Sequence, residues 1–298
     1  MKLCNITNVS FFYAEVSRRR SNYMIKIDTL TPLKNQRGVL VASHRGVACG
    51  NIPCNTMAAF EAAVRQGADI LETDVILSDQ GEMFIFHEKQ EPNHLNKQIR
   101  LERMSTEEVL AQRFVNTDND ETPYGVLTLD QFLETFKNRI MINLDHAWDF
   151  LPETAAAIRR HGMEDQIILK TPAKEKFFDV MEAVAPELMY MSVIKNEDNC
   201  TALIESKNIN YVAAELVFSS EDSPLCQPEY IKAHHDKGRQ LWVNPLLYSY
   251  KAQLTAGHND DVAITGDPEF GWGWLVDKGF DILQTDWPLQ LRLFLNNR

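Results

Sequence analysis

The chain has 298 residues, 44% of them hydrophobic, and its 42 acidic and 30 basic side chains give a net charge of −12. That balance argues against non-specific binding to nucleic acid or to an anionic membrane, which need clustered positive charge, but it leaves room for a basic pocket around one phosphate. The five cysteines (Cys4, Cys49, Cys54, Cys200 and Cys226) show no CxxC or CxxH spacing, so neither a structural zinc nor a disulfide framework is expected. No run of about 18 apolar residues occurs, and Arg18-Arg19-Arg20 interrupts the amino-terminal stretch. The expectation is therefore no integral membrane association and a cytoplasmic location.

Residues 1–37 are mixed and basic and read as a segment closing the bottom of a barrel. From Val39 a rhythm sets in of short apolar strand, polar junction and amphipathic helix, the pattern of a parallel sheet with helical crossovers. Strands are expected at 38–43, 69–76, 83–87, 140–145, 166–170, 188–193, 210–217, 240–244 and 280–285. Helices are expected at 56–66, 105–113, 128–138, 151–161, 173–185, 197–207, 227–237, 271–278 and 287–295. Ser105 to Glu108 and Thr128 to Gln131 have capping-box spacing, and Gly162, Gly238 and Gly279 follow helical stretches as carboxyl-terminal caps. The connection through Ser78-Asp79-Gln80-Gly81 is too short for a helical crossover and reads as a hairpin. The expected fold is a TIM-like (β/α)8 barrel, irregular near residues 69–87, in a single domain spanning 1–298. Stretches 88–126 and 246–270 read as insertions that form lids or substrate walls.

Polar and ionisable residues recur where apolar strands give out, and in a parallel barrel those ends meet on one face. Glu72 and Asp74 are one residue apart, so on a strand they share a face at about 7 Å. Two like charges held there call for a cation, and carboxylate oxygens suit a hard ion, Mg²⁺ or Ca²⁺. Asp145, ending another strand, is the third candidate ligand. His44 and His87 can accept and donate protons near neutral pH. Arg45 can clamp two phosphate oxygens at once. Lys170, Glu215 and Asn244 also fall at strand ends, and Lys170, Glu215 and Trp242 complete a candidate substrate pocket, with core packing the alternative for Trp242 and ion pairing for Lys170. The run Phe270-Gly271-Trp272-Gly273-Trp274 reads as a lid or packing feature.

These residues stand in a recognisable order. His44-Arg45-Gly46, then Pro53-Cys54-Asn55-Thr56, then Gly67-Ala68-Asp69 leading to Glu72, Asp74 and Val75, then the run ending at His87, resembles the glycerophosphodiester phosphodiesterase family. The likeness continues at Leu127–Leu133, Ile142–Asp145, Leu241–Asn244 and Gly279–Pro288. It implies a TIM barrel in which His44 and His87 match the family's catalytic histidines. It also implies a metal-dependent hydrolase that cleaves a small-molecule glycerophosphodiester to sn-glycerol 3-phosphate and an alcohol. A lyase that stops at a cyclic phosphate and an inactive phosphodiester-binding homologue are the alternatives. Four positions depart from the family pattern. Cys54 stands for glutamate, Glu88 for aspartate, Asp145 for glutamate and Ala147 for lysine. The last removes a phosphate-binding charge that Lys170 is placed to restore. Cys54 has no evident activating base and is not expected to be a nucleophile.

Overall fold

The computed structural model describes residues 27–247 and 252–298. The first 26 residues of the expected closing segment, Cys4 among them, and residues 248–251 of the second insertion lie outside the described residues. The strands are β1 (Leu40–His44), β2 (Ile70–Leu77), β3 (Met83–Ile85), β4 (Arg113–Val115), β5 (Glu121–Gly125), β6 (Met141–Asp145), β7 (Ile167–Pro172), β8 (Met189–Lys195), β9 (Tyr211–Val217), β10 (Gln240–Val243) and β11 (Ile282–Thr285).

Eight of these pair in parallel in the order β1-β11-β10-β9-β8-β7-β6-β2, and β2 pairs with β1 to close the ring. The protein is a TIM barrel. Helices Met57–Arg65, Leu129–Phe136, Leu151–His161, Glu175–Val184, Thr201–Glu205, Pro228–His235 and Trp274–Lys278 lie between its strands, and Pro288–Asn296 follows β11. The expected irregularity is a hairpin: β3 runs antiparallel to β2 and is not a barrel stave. Both capping boxes form, at Ser105 with Glu108 and at Thr128 with Gln131.

Strand alternation sorts the side chains. Leu40 and Ala42 in β1, Ile70 in β2, Met141 in β6, Ile168 in β7 and Trp242 in β10 belong to one buried cluster inside the barrel. Helix Leu30–Arg37 contributes Leu30 to that cluster. Residues of the opposite parity, such as Val41, Leu71 and Ile142, pack outward against the helices. Each fully buried Leu or Phe in these layers contributes about 1.5–3 kcal/mol over exposure. Continuing the inward parity toward the strand ends reaches His44, Glu72 and Asp74, Asn143 and Asp145, Lys170, Glu215, Asn244 and Gln284. The mouth of the barrel is therefore polar because its last inward layers are.

The first insertion carries its own structure. Helices Glu91–His94 and Thr106–Leu110 and the β4–β5 hairpin surround a separate apolar cluster that includes Phe84, Phe86, Leu101 and Phe114. Among the described residues no helix is long and apolar enough to cross a membrane.

Candidate active site

β1 delivers His44 to the mouth, and the chain then turns sharply. Arg45 adopts a left-handed conformation (φ 55°), its N–H donating to the Glu72 carbonyl at 3.0 Å. Gly46 is also left-handed (φ 78°), and a Cβ there would lie 2.6 Å from the backbone of Ala59. Only glycine lets the chain pass so close to helix Met57–Arg65, which Thr56 caps by accepting the Ala59 N–H. The turn directs the Arg45 side chain back over β2, where Nε lies 2.8 Å from Asp74 Oδ2. His44 Nδ1 meets Asp286 Oδ1 at 2.8 Å.

Register brings the acids together. His44 stands opposite Glu72, Glu72 opposite Asn143, and Asp74 opposite Asp145. Lys170, buried beneath them, places Nζ 2.6 Å from Asp145 Oδ2, 2.9 Å from Glu215 Oε2 and 3.9 Å from Glu72 Oε1. Asn244 donates to Glu215 Oε1 at 2.8 Å, and the Trp242 indole N–H is shared between Asn244 Oδ1 and Gln284 Oε1. Trp242 is completely buried and supports this chain of contacts from inside the barrel. Lys170 is engaged by carboxylates.

The electrostatics follow from burial. Burial first, then Asp74, pushes the Glu72 carboxyl well above the usual carboxylate range, against the pull of Lys170. Burial works the same way on Asp74, but Arg45, then His87, His146 and His44, outweigh it and bring that carboxyl below its ordinary value. Burial disfavours the Lys170 ammonium, yet Asp145, Glu215 and Glu72 hold it well above the ordinary lysine value.

His87, just past β3, reaches the same place, and its Nδ1 lies 2.7 Å from the Glu88 carbonyl. A carbonyl only accepts, so Nδ1 carries the proton and Nε2 of the neutral ring holds the lone pair. His146 lies beside it, 4.4 Å between centroids with the rings tilted by 51°, and Trp148 is also 4.4 Å from His146. A cleft of about 600 Å³ opens past these residues, lined by Asp145, His146, Trp148, Glu215 and Asn244 and edged by Lys174 and Lys195.

Of the residues expected from sequence, His44, Arg45, Glu72, Asp74, His87, Asp145, Lys170 and Glu215 meet at this mouth. Two further groups were not anticipated. Asp286 could have been found by extending the inward parity of β11 by one step. His146 has the wrong parity; its left-handed backbone (φ 58°) turns it inward, which strand periodicity cannot foresee. Cys54 lies 3.7 Å from His94 Nε2, where burial pushes the thiol up to about 12 and the imidazole down to about 4. That neutral pair is not an activated nucleophile.

The donor set suits a hard cation. Ligand atoms of Glu72, Asp74 and Asp145 lie within 4.8 Å of one another. Glu72 Oε2 and Asn143 Oδ1, buried neighbours in register, have no hydrogen-bond partner among the described residues. Buried oxygens without donors are costly, and an oxygen-seeking divalent ion would satisfy them.

Comparison with known proteins agrees with this picture. Residues 190–295 match a family described as a domain of unknown function. A glycerophosphodiester phosphodiesterase of Bacillus altitudinis is 33% identical over 181 residues, 56% of this chain and 73% of that protein. The uncharacterized protein YqiK of Bacillus subtilis is 27% identical over 139 residues, of which this chain spans 57% of the length. A glycerophosphoryl diester phosphodiesterase from Parabacteroides distasonis superposes with a TM-score of 0.73 at 17% identity, covering 91% of this chain and 93% of that one. An Oleispira antarctica phosphodiesterase, solved with the product sn-glycerol-3-phosphate, gives 0.62 at 16% identity, covering 86% and 96%. At these identities the structures attest the fold.

Proposed function

The chain belongs to the glycerophosphodiester phosphodiesterase family, and from that premise we propose that it hydrolyses a glycerophosphodiester to sn-glycerol 3-phosphate and an alcohol. In this reading Glu72, Asp74 and Asp145 hold Mg²⁺ or Ca²⁺, and His44 and His87 move the protons. The observation that carries it is the gathering of these groups around Asp74, on whose carboxyl Arg45 and the imidazoles of His44 and His87 all act.

Hydrogen bonding divides the two histidines. His87 donates a hydrogen bond from Nδ1–H to the Glu88 carbonyl, so Nε2 is the base that takes a proton from the attacking water as its oxygen bonds to phosphorus. His44, with the Asp286 carboxylate at Nδ1, is matched to carrying a second proton and delivers it to the alcohol oxygen as the P–O bond breaks. A bound divalent cation would supply charge neutralisation at a non-bridging phosphate oxygen. Arg45 adds guanidinium charge at the same edge. Lys170, with Glu215 and Asn244, fixes Asp145 from below. The cleft beyond Asp145 and His146 receives the alcohol portion.

His44→Ala and His87→Ala should each lower kcat by roughly 10²–10⁴, with thermal unfolding close to wild type because both side chains lie at the mouth and not in the core. Wild-type turnover in both variants would overturn the assignment.

A further inference from the structure

Two groups of cation ligands share Asp74. One is all oxygen (Glu72, Asp74, Asp145); the other is Asp74, His87 and His146, with one ligand atom from each within 4.8 Å of the rest. We propose that Asp74, His87 and His146 form a second cation site, built for a borderline ion of the Zn²⁺ class, and that Zn²⁺ seated there arrests hydrolysis. The inference rests on the reading of Asp74 as a ligand of the catalytic cation and of His87 as the base.

The dimensions fit. Ligand atoms around a tetrahedral zinc with bonds of about 2.0–2.1 Å stand roughly 3.4 Å apart. His146 Nε2 is 3.8 Å from Asp74 Oδ1 and all three ligand atoms lie within 4.8 Å of one another, so side-chain shifts of at most about an ångström close the site. Arg45 engages the other oxygen, Oδ2, which leaves Oδ1 as the one facing His146. Two imidazole nitrogens with one carboxylate suit Zn²⁺ and disfavour Mg²⁺ and Ca²⁺, which take oxygen. Three protein ligands with a fourth position open to the cleft is a common zinc arrangement.

The ligands are also held in advance. The Nδ1–H of His87 on the Glu88 carbonyl is the outer contact that ligating histidines typically make, and it aims Nε2. The left-handed backbone at His146 is stabilised by its own N–H on Asp145 Oδ1 at 2.8 Å, and Trp148 flanks the ring.

The consequence is antagonism between the two cations. Zn²⁺ on His87 Nε2 would occupy the lone pair that accepts the proton of the attacking water, and Zn²⁺ on Asp74 would withdraw an oxygen from the Glu72–Asp74–Asp145 set. The enzyme would run on a hard ion and stop on a borderline one.

Calorimetric titration of untagged, chelator-treated protein with ZnCl₂ tests the site directly. Wild type should bind one Zn²⁺ per chain, His146→Ile should bind it about tenfold more weakly or worse, and His94→Ala should match wild type. With Mg²⁺ or Ca²⁺ saturating, Zn²⁺ should inhibit product release, and the half-inhibiting concentration, each variant referred to its own rate, should rise by the same factor in His146→Ile. Equal zinc affinity in His146→Ile would overturn the proposal. So would a loss confined to His94→Ala, which would place the ion at Cys54 and His94, and so would bound zinc that leaves the rate undiminished. If no variant turned over with any cation, the hydrolase reading and the arrest would fall together, while the titration would still decide the site.

Discussion

Lys170 shows what a single buried charge does in this site. Its ammonium lies among Asp145, Glu215 and Glu72, and all four residues sit on the inward face of the barrel. Replacing it with Met removes the compensation and leaves the acids facing one another. Breaking a buried ion pair typically costs about 3–5 kcal/mol, so Lys170→Met should lower the unfolding midpoint by roughly 5–15 °C. The same change strengthens the acids' demand for a cation. Added Mg²⁺ or Ca²⁺ should therefore raise the midpoint of Lys170→Met more than that of wild type, by mass action on the folded state. Equal shifts in a thermal-shift assay would mean that the cation is not held by these carboxylates. Strand alternation made most of this cluster legible in the sequence, because Glu72, Asp74, Lys170 and Glu215 fall at inward positions of apolar strands. What it could not give was pairing: that Arg45 meets Asp74, and that Lys170 is taken up by three acids, depends on register between strands distant in sequence.

At the scale of elements, the stretch 246–270 is tied to the candidate site through Asp260. Its Oδ1 accepts the Trp272 indole N–H at 2.7 Å, and Oδ2 accepts from the Thr285 hydroxyl at 2.8 Å and the Asp286 N–H at 3.0 Å. Asp286 in turn contacts His44, so helix Asp260–Thr265 positions a residue of the candidate site. Burial, working against those donors, pushes the Asp260 carboxyl up to about 7 from its ordinary 3.8. The sign follows: between these values the folded chain keeps a proton that the unfolded chain releases, so stability falls as pH rises through the window. Asp260→Asn has no such proton. Relative to that variant, wild type should lose stability between pH 4 and pH 7 by an amount on the order of a few kcal/mol, visible in denaturant melts. Parallel curves would contradict the burial argument. The aromatic run that the sequence suggested as a lid or packing feature packs here, with Trp272 buried on Asp260. The β4–β5 hairpin was not foreseen, because β5 contains Pro123 and its polar residues give no apolar alternation.

For the molecule as a whole, closure of eight parallel strands makes the site possible, since it brings the ends of β1, β2, β6, β7 and β9 to one mouth. The turn at Gly46, just past β1, is closely packed against helix Met57–Arg65. Gly46→Ala would drive a Cβ to 2.6 Å from the Ala59 backbone and impose a left-handed φ on a residue that resists it. It should reduce folded yield and turnover together, whereas Gly81→Ala, where the added Cβ meets nothing within 4 Å, should pay only for its positive φ and leave turnover unchanged. Comparable yields and rates for the two variants would show that the close approach does not matter. The barrel was legible from the alternation of strands and helices, and the hairpin β2–β3 from a connection too short for a helix. In the proposed reading the mouth of this barrel hydrolyses a glycerophosphodiester with a divalent cation. Phosphorus NMR of a glycerophosphodiester incubated with the protein tests it most directly. With Mg²⁺ or Ca²⁺ the diester resonance should give way to that of sn-glycerol 3-phosphate, and excess EDTA should stop the conversion. A cyclic phosphate accumulating as the end product, an unchanged diester, or full turnover in EDTA would contradict it.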